Sequence, residues 1–341
     1  MPGATVGFAV TVGDLTASWP STGGSLELVA LECATGIGGG WARIRLGPPQ
    51  GEAPPLGAAV TVELDDGDGA IKVFTGVADH VGSTATSWVL RAHDGLPALA
   101  RLDLERAWRD TTADAVIKDI LGAAGLEASE VCSGPPLRTF TALRGPRGLR
   151  VVEGLLARMG AELHIDGTGA AVVATPRTGA ADHTLTWGED LLAIDIRRRP
   201  PALPGVTVHG EGAAEAQGAS KAHWLPKDVS ALVGRAKLDA DEVVAGAAGQ
   251  PGLTLVDGAL ATTKACQTVA DNFTKLLAAS PIEGALTTLG RTTIKPGDLL
   301  GIAGLPDGHS LTAVLAGGTL RARRVIHRFD ATTGFTTRVE L

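Results

Sequence analysis

Residues 4–93 form a run of short alternating apolar segments separated by Gly, Pro and Asp clusters. No other feature of the chain constrains its fold as much. Side chains alternate faces along a strand with period two, so such a run means half-buried strands joined by tight turns. The segments are 4–12 (Val6, Phe8, Val10, Val12), 26–35, 41–46, 58–64, 71–79 and 87–93. Gly36-Ile37-Gly38-Gly39-Gly40 divides the second from the third, and the four prolines of 47–57 mark a loop. Asp65-Asp66-Gly67-Asp68-Gly69 reads as a hairpin turn. A calcium loop of the helix-loop-helix kind would need a longer loop and a closing Glu. Six strands with regular turns predict a small antiparallel barrel or sandwich over 1–95.

The pattern changes near residue 95. A helix is predicted from Thr111, with Thr111 and Asp114 spaced as a weak capping box. Its apolar stripe is Ala113, Val116, Ile117, Ile120, Leu121 and Ala124, with Gly125 at its end. A second helix over 147–159 carries Leu149, Val152, Leu155, Leu156 and Met159 and stops at Gly160. Strands 162–166 and 170–175 follow, giving an α+β domain over 96–188. Strands 191–197 and 206–210 come next. Residues 211–258, Ala/Gly-rich and weakly periodic, read as an insertion with loops and a short hairpin. The clearest helix spans 259–279 (Ala261, Ala265, Val269, Phe273), capped by Asp257 and followed by Pro281. Strands at 286–293, 299–303, 311–315, 320–329 and 335–341 complete a second β block over 189–341. The predicted fold class is mainly β with an α+β insert: two similar antiparallel β-barrels flanking a small α+β domain.

The 341 residues are 44% hydrophobic and 20% charged, a globular composition. No apolar run reaches the ~18 residues of a membrane span, and the N-terminus lacks the basic region of a secretory signal. The net charge of −7 is concentrated at the front, where residues 1–100 carry 4 basic and 10 acidic side chains. A surface that grips DNA has the opposite sign. Aromatic residues are 4% and Tyr is absent, which weighs against grips on sugars or bases. Cys33, Cys132 and Cys266 lie too far apart for a metal motif and read as buried free thiols. The chain has no nucleophile elbow, His-Glu-x-x-His or phosphate loop, and its eight histidines are scattered.

Two acid/base pairs are conceivable, His93-Asp94 and Glu162/Asp166. Adjacent strand residues face opposite ways, so Asp94 is expected to cap the turn at Gly95-Leu96-Pro97 instead. Arg197-Arg198-Arg199-Pro200-Pro201 reads either as a phosphate or partner contact or as a solvated strand end. The expectation is a non-enzyme with no catalytic, cofactor-binding or metal-binding residue.

One C-terminal run is more specific. Ile294-Lys295-Pro296-Gly297-Asp298-Leu299-Leu300-Gly301-Ile302-Ala303-Gly304 is followed by Gly318-Thr319-Leu320, then Val325-Ile326-His327, then Gly334-Phe335-Thr336-Thr337-Arg338-Val339. Upstream stand Phe74-Thr75-Gly76, Ala92-His93-Asp94-Gly95-Leu96, the helix begun by Thr111, and Leu149 to Gly160. In this order they resemble the phage late control protein D family, the tail hubs of contractile phages related to the N-terminal part of VgrG spikes. The chain departs from that pattern before Val325, where Leu320 or Arg323 replaces the usual aromatic.

The resemblance implies a homotrimer whose paired barrels make a pseudo-six-fold ring. That ring would adapt a hexameric tail tube to a trimeric central spike and line an ejection channel. Expected partners are the tail tube, the spike and other baseplate or tape-measure proteins, with spike or lysozyme functions on separate chains. DNA would pass an acidic lumen without specific binding, and Asp65, Asp66 and Asp68 are the candidate lumen charges. The implied location is the virion tail baseplate, assembled in the host bacterial cytoplasm. A protein-delivering contractile injection system is the alternative setting, and a cell-wall hydrolase or glycan-binding tail protein is a remoter one.

Overall fold

A computed structural model describes residues 6–21, 26–145, 147–199, 203–210, 232–239, 242–245, 252–279, 282–315 and 318–341. The first block contains β1 (Gly7–Val12), β2 (Leu15–Trp19), β3 (Glu27–Gly36), β4 (Trp41–Gly47), β5 (Ala59–Asp65), β6 (Ile71–Ser83) and β7 (Trp88–His93). They pair antiparallel in the order β3-β4-β7-β6-β5-β1-β2. Alternation dictates which side is buried: β5 turns Val60, Val62 and Leu64 inward, against Ile44, Phe74 and Leu90. Each such side chain contributes about 2 kcal/mol of burial. The sheet curls until Ala17 bridges Leu26. Six of these strands are those of the sequence; β2 is the addition.

The middle region contains α1 (Leu96–Arg101), β8 (Arg106–Thr112), α2 (Ala113–Ala123), β9 (Ala128–Val131), β10 (Pro136–Ala142), α3 (Gly148–Met159), β11 (Glu162–Ile165) and β12 (Ala171–Ala174). The predicted stripe of α2 is buried from Ala113 to Leu121. Its cap differs from the expected box. Thr112 is the capping position, and Asp114 accepts a hydrogen bond from Gly134 N at 3.0 Å.

Next come β13 (His183–Thr186), β14 (Leu191–Arg198), β15 (Gly205–Gly210), β16 (Val233–Asp239), β17 (Glu242–Ala245), β18 (Leu253–Asp257) and α4 (Thr263–Ala278). The expected hairpin is β16–β17, in a sheet ordered β17-β16-β15-β18; residues 211–231 lie outside the described residues, as do Pro200, Pro201 and Pro281. Thr262, not Asp257, caps α4, accepting from Ala265 N at 3.1 Å. Asp257 instead binds Ala259 N at 3.0 Å and pairs with Arg158 of α3. Val206, Val208, Ala236, Cys266 and Val269 share one core with Ile117 and Leu155. The insertion and helix, attached by sequence to the second β block, thus bury their apolar faces against the α+β domain.

The last elements are β19 (Ile282–Leu289), β20 (Leu299–Ala303), α5 (Ser310–Leu315), β21 (Leu320–Arg321), β22 (Arg324–Asp330) and β23 (Gly334–Glu340). Two expectations fail here. Residues 311–315 are helical, because Leu311, Val314 and Leu315 meet the second core at helical spacing. The expected strand 320–329 breaks at Ala322, whose backbone bonds Asp298 O and Gly297 N, so that the chain leaves β20 before joining β23. Gly297 (φ 94°) and Gly334 (φ 69°) occupy turns whose positive φ favours glycine. β13 pairs parallel with β20, so 183–186 belongs to this second block.

The two β blocks repeat one topology. β3-β4-β7-β6-β5 in the first corresponds to β14-β19-β23-β22/β21-β20 in the second, with every pair antiparallel. Even an irregularity repeats: β3 is bulged between Leu28 and Ala30 against β4, and β14 between Leu191 and Ala193 against β19. The outer strand also switches partner in both. β6 pairs with β5 through residues 71–77 and with β7 through 77–83, while β21 pairs with β20 and β22 with β23.

Candidate assembly interface

The blocks meet edge to edge at β3 and β22, where Arg324↔Gly36, Val325↔Thr35, Ile326↔Ala34, His327↔Cys33, Arg328↔Glu32, Phe329↔Leu31 and Asp330↔Ala30 are opposed. This pairing joins both blocks into one eleven-stranded sheet. A side chain at Gly36 would stand 2.6 Å from Arg323 O and 2.7 Å from Arg324 Cα, so the seam admits none there. Glu32 lies between Arg43 on β4 and Arg328 on β22, at 3.7 and 3.8 Å. The cores merge as well. Phe335 of β23 is buried in the first core, and Phe329 stacks 5.1 Å from Phe8.

His327 is buried at the seam and its Nδ1 lies 3.1 Å from Thr337 Oγ1, which accepts from Arg291 N at 2.9 Å. Burial pushes its pKa down to about 4, although the Asp66 carboxylate acts the other way. It is a neutral structural histidine at pH 7. Burial also raises the Cys33 thiol to about 12, so the nucleophilic thiolate does not form. Cys266 is likewise buried, whereas Cys132 is half-buried, in contrast to the expectation of three buried thiols.

A second junction ties the α+β domain to both blocks. Thr75 Oγ1 donates to Gly167 O at 2.8 Å, docking the β11–β12 turn on β6. Glu162 accepts two hydrogen bonds from Arg321, one at 3.1 Å, and stands 3.8 Å from Arg323. A cleft of about 450 Å³ remains between the three parts, with Glu130, His164, Asp166 and Lys295 on its walls. Burial lowers the His164 pKa, so this histidine too is neutral.

The residues singled out from sequence serve as fasteners. Asp94 accepts from Leu96 N at 2.9 Å and from Gly40 N, the expected cap with an added tie to the 36–40 loop; burial raises its pKa against these bonds. His93 Nδ1 is 2.7 Å from the Asp94 carbonyl, not its carboxylate. Glu162 is held by Arg321, and Asp166 holds its own turn through Thr168 N at 2.8 Å and Ala170 N at 3.1 Å. Neither conceivable acid/base pair is assembled. Asp65 binds Gly67 N at 2.8 Å and Gly69 N at 3.0 Å, confirming the hairpin turn, and Asp66 accepts from Thr292 N at 2.8 Å. Both are half-buried, so only Asp68 of the expected lumen triplet is a freely exposed charge. Arg197 and Arg199 both pair with Glu283, at 2.6 and 3.1 Å, on an exposed strand end. Among the described residues no group of three His, Cys, Asp or Glu is placed to hold a metal ion, and no helix is long and apolar enough to cross a membrane.

That barrel edges pair with neighbours is implied by the resemblance; what the sequence does not specify is which edges stand unfilled among the described residues, β14 and the distal half of β6. Their signal is the duplicated strand order, which weak sequence similarity between the blocks conceals.

No protein-family model matches the chain, and no curated protein matches it in sequence. Solved structures match in fold. The 43 kDa tail protein of prophage MuSo2 from Shewanella oneidensis has a TM-score of 0.64 at 12% identity, covering 98% of this chain and 97% of that one. A tail protein from Neisseria meningitidis MC58 gives 0.64 at 13%, covering 98% and 96%. An Escherichia coli component of the type VI secretion system, described as structurally similar to bacteriophage T4 tail proteins gp27 and gp5, gives 0.58 at 9%, covering 97% and 75%. The chain therefore has the fold of these tail and secretion proteins along essentially its whole length.

Proposed function

We propose that this protein is the structural hub of a phage tail or tail-like baseplate, a homotrimer forming a pseudo-six-fold ring between a hexameric tube and a trimeric spike. The duplicated strand order carries this reading. A chain holding two copies of one β unit presents two similar docking surfaces, so three chains present six. The fold shared with phage tail proteins supports the setting.

The partners are then the tail tube, the central spike and neighbouring baseplate or tape-measure proteins. The location is the virion tail baseplate, assembled in the host cytoplasm. The hub performs no chemical step, in keeping with carboxylates and histidines spent on structural bonds. DNA passes along its lumen without specific binding. A second setting, a protein-delivering contractile injection system, is favoured by the likeness to the E. coli secretion component.

The test is native mass, alone and in isolated particles. The expected result is three times the 34.6 kDa chain mass and three copies per particle. A chain that is monomeric in both overturns the reading.

A further inference from the structure

Among the described residues the repeat leaves a strand edge open in each block, and the open edges are the counterparts of the two strands that already pair at β3–β22. Matching the two units through their shared bulge and hairpin registers equates Leu28 with Leu191, Ala30 with Ala193, Ala34 with Arg197 and Gly36 with Arg199. It likewise equates Arg324 with His80, Val325 with Val81, Ile326 with Gly82 and His327 with Ser83, because Arg324↔Glu340 matches His80↔Arg91. β3 is covered on both sides, by β4 and β22, and its Ala34 and Thr35 are buried. Among the described residues β14 is covered by β19 on one side only, and Arg197 and Arg198 are exposed. β22 is covered by β23 and β3. Among the described residues the distal half of β6 is covered by β7 alone, and Asp79, His80 and Ser83 are exposed.

We infer that β14 of one copy pairs antiparallel with the distal half of β6 of the next, in the register His80↔Arg199, Val81↔Arg198, Gly82↔Arg197 and Ser83↔Ile196, and that three such seams close a ring of three chains. The inference deepens the hub reading and rests on it. The intrachain seam supplies the template, and the added seam repeats it between chains. Charge is complementary along the edge. Arg197 and Arg199 already pair with Glu283, and the register brings the exposed Arg198 and the rest of the run beside the exposed Asp79 of β6, whose present partner is Arg91 at 3.9 Å. Unsatisfied backbone groups of two open edges are satisfied together. The contact is head-to-tail, so it closes a ring or propagates without end.

The test is disulfide trapping in the full chain. Gly82→Cys with Arg197→Cys places thiols at directly opposed positions, and a Cβ at Gly82 meets the flexible His80 side chain at 3.3 Å and Val89 O at an ordinary 3.8 Å. Ala34→Cys with Ile326→Cys, the equivalent intrachain pair, is the positive control for the same geometry. Gly82→Cys with Asp195→Cys is two residues out of register, with Cα atoms separated by ~7–8 Å or more, and should cross-link at least about tenfold less. Purified protein, or particles where assembly requires them, is oxidised and the covalent species weighed under denaturing conditions, beside the native mass.

A covalent three-chain species from the in-register pair is expected. A native trimer that forms no such cross-link, or forms it best from the shifted pair, overturns the inference and leaves the hub reading standing. Covalent ladders beyond three chains overturn ring closure. A chain that is monomeric alone and in particles overturns both.

Discussion

At the scale of single residues, the seam between the blocks depends on Gly36 and His327. Gly36→Ala inserts a methyl 2.6 Å from Arg323 O and 2.7 Å from the β22 backbone at Arg324. It should cost about 1–3 kcal/mol, as overpacking does, read as a lower urea midpoint with an unchanged slope. A midpoint equal to the parent's would show that the seam can open around a methyl group. His327 makes stability depend on pH. Its folded pKa of about 4 lies below the ordinary 6.5, so between these values the unfolded chain binds a proton that the folded chain refuses. Stability is therefore fully present above pH 6.5 and falls as pH drops toward 4, by on the order of 3 kcal/mol from this group. His327→Gln should remove that part of the slope in urea melts at pH 7 and pH 4.5. Equal slopes in the two proteins would show that His327 titrates freely.

At the scale of elements, the Glu162–Arg321 pair fastens β11 to β21 with both side chains largely buried. Losing one partner strands the other charge, so Arg321→Met or Glu162→Gln alone should cost about 3–5 kcal/mol, and the double variant less than the sum. Additive losses in the double-mutant cycle would mean that the two groups act independently. Elements were legible from sequence wherever period and punctuation agreed. The six strands of the first block, α2, α3 and α4 all stand within a few residues of their predicted places. Three kinds of local signal misled. The hairpin partner β2 follows a two-residue Gly13-Asp14 turn, in the stretch between the strands at 4–12 and 26–35 to which the sequence pattern assigns no element. The short run Leu311-Thr312-Ala313-Val314-Leu315 has strand composition, but the second core takes Leu311, Val314 and Leu315 from one helical face. Thr112 and Thr262 each lie in a Thr-Thr pair; at α2 the neighbouring Thr111 offers an equivalent oxygen, and at α4 the expected Asp257, five residues before the cap, turns to Ala259 N instead. Of the acid/base candidates Asp94 was legible as a cap, because Leu96 is two residues away, but Glu162 was not legible as a fastener, because Arg321 lies far along the chain.

At the scale of the whole molecule, strand order carries information that residue identity does not. The two blocks keep the same neighbours, the same bulge and the same partner switch, while their surfaces differ: Ala34 and Thr35 are covered where Arg197 and Arg198 are bare. Arginines on an open edge also guard against indiscriminate strand pairing before the right partner arrives. A fragment ending at residue 321 retains every strand of the first block but loses β22 and β23. Its first block should be cleaved by protease at least about tenfold faster than in the full chain, since local opening rises as core contacts are lost. Equal protection would mean that this block stands alone.

Phe335 sits in the core of the first block although it is translated long after that block's own strands. While a nascent chain is still on the ribosome, its leading β unit lacks that ring and the cover of β22 along β3. Synthesis must reach Phe335 before the first block can seal, so a product terminated earlier keeps an open seam and is the more readily degraded.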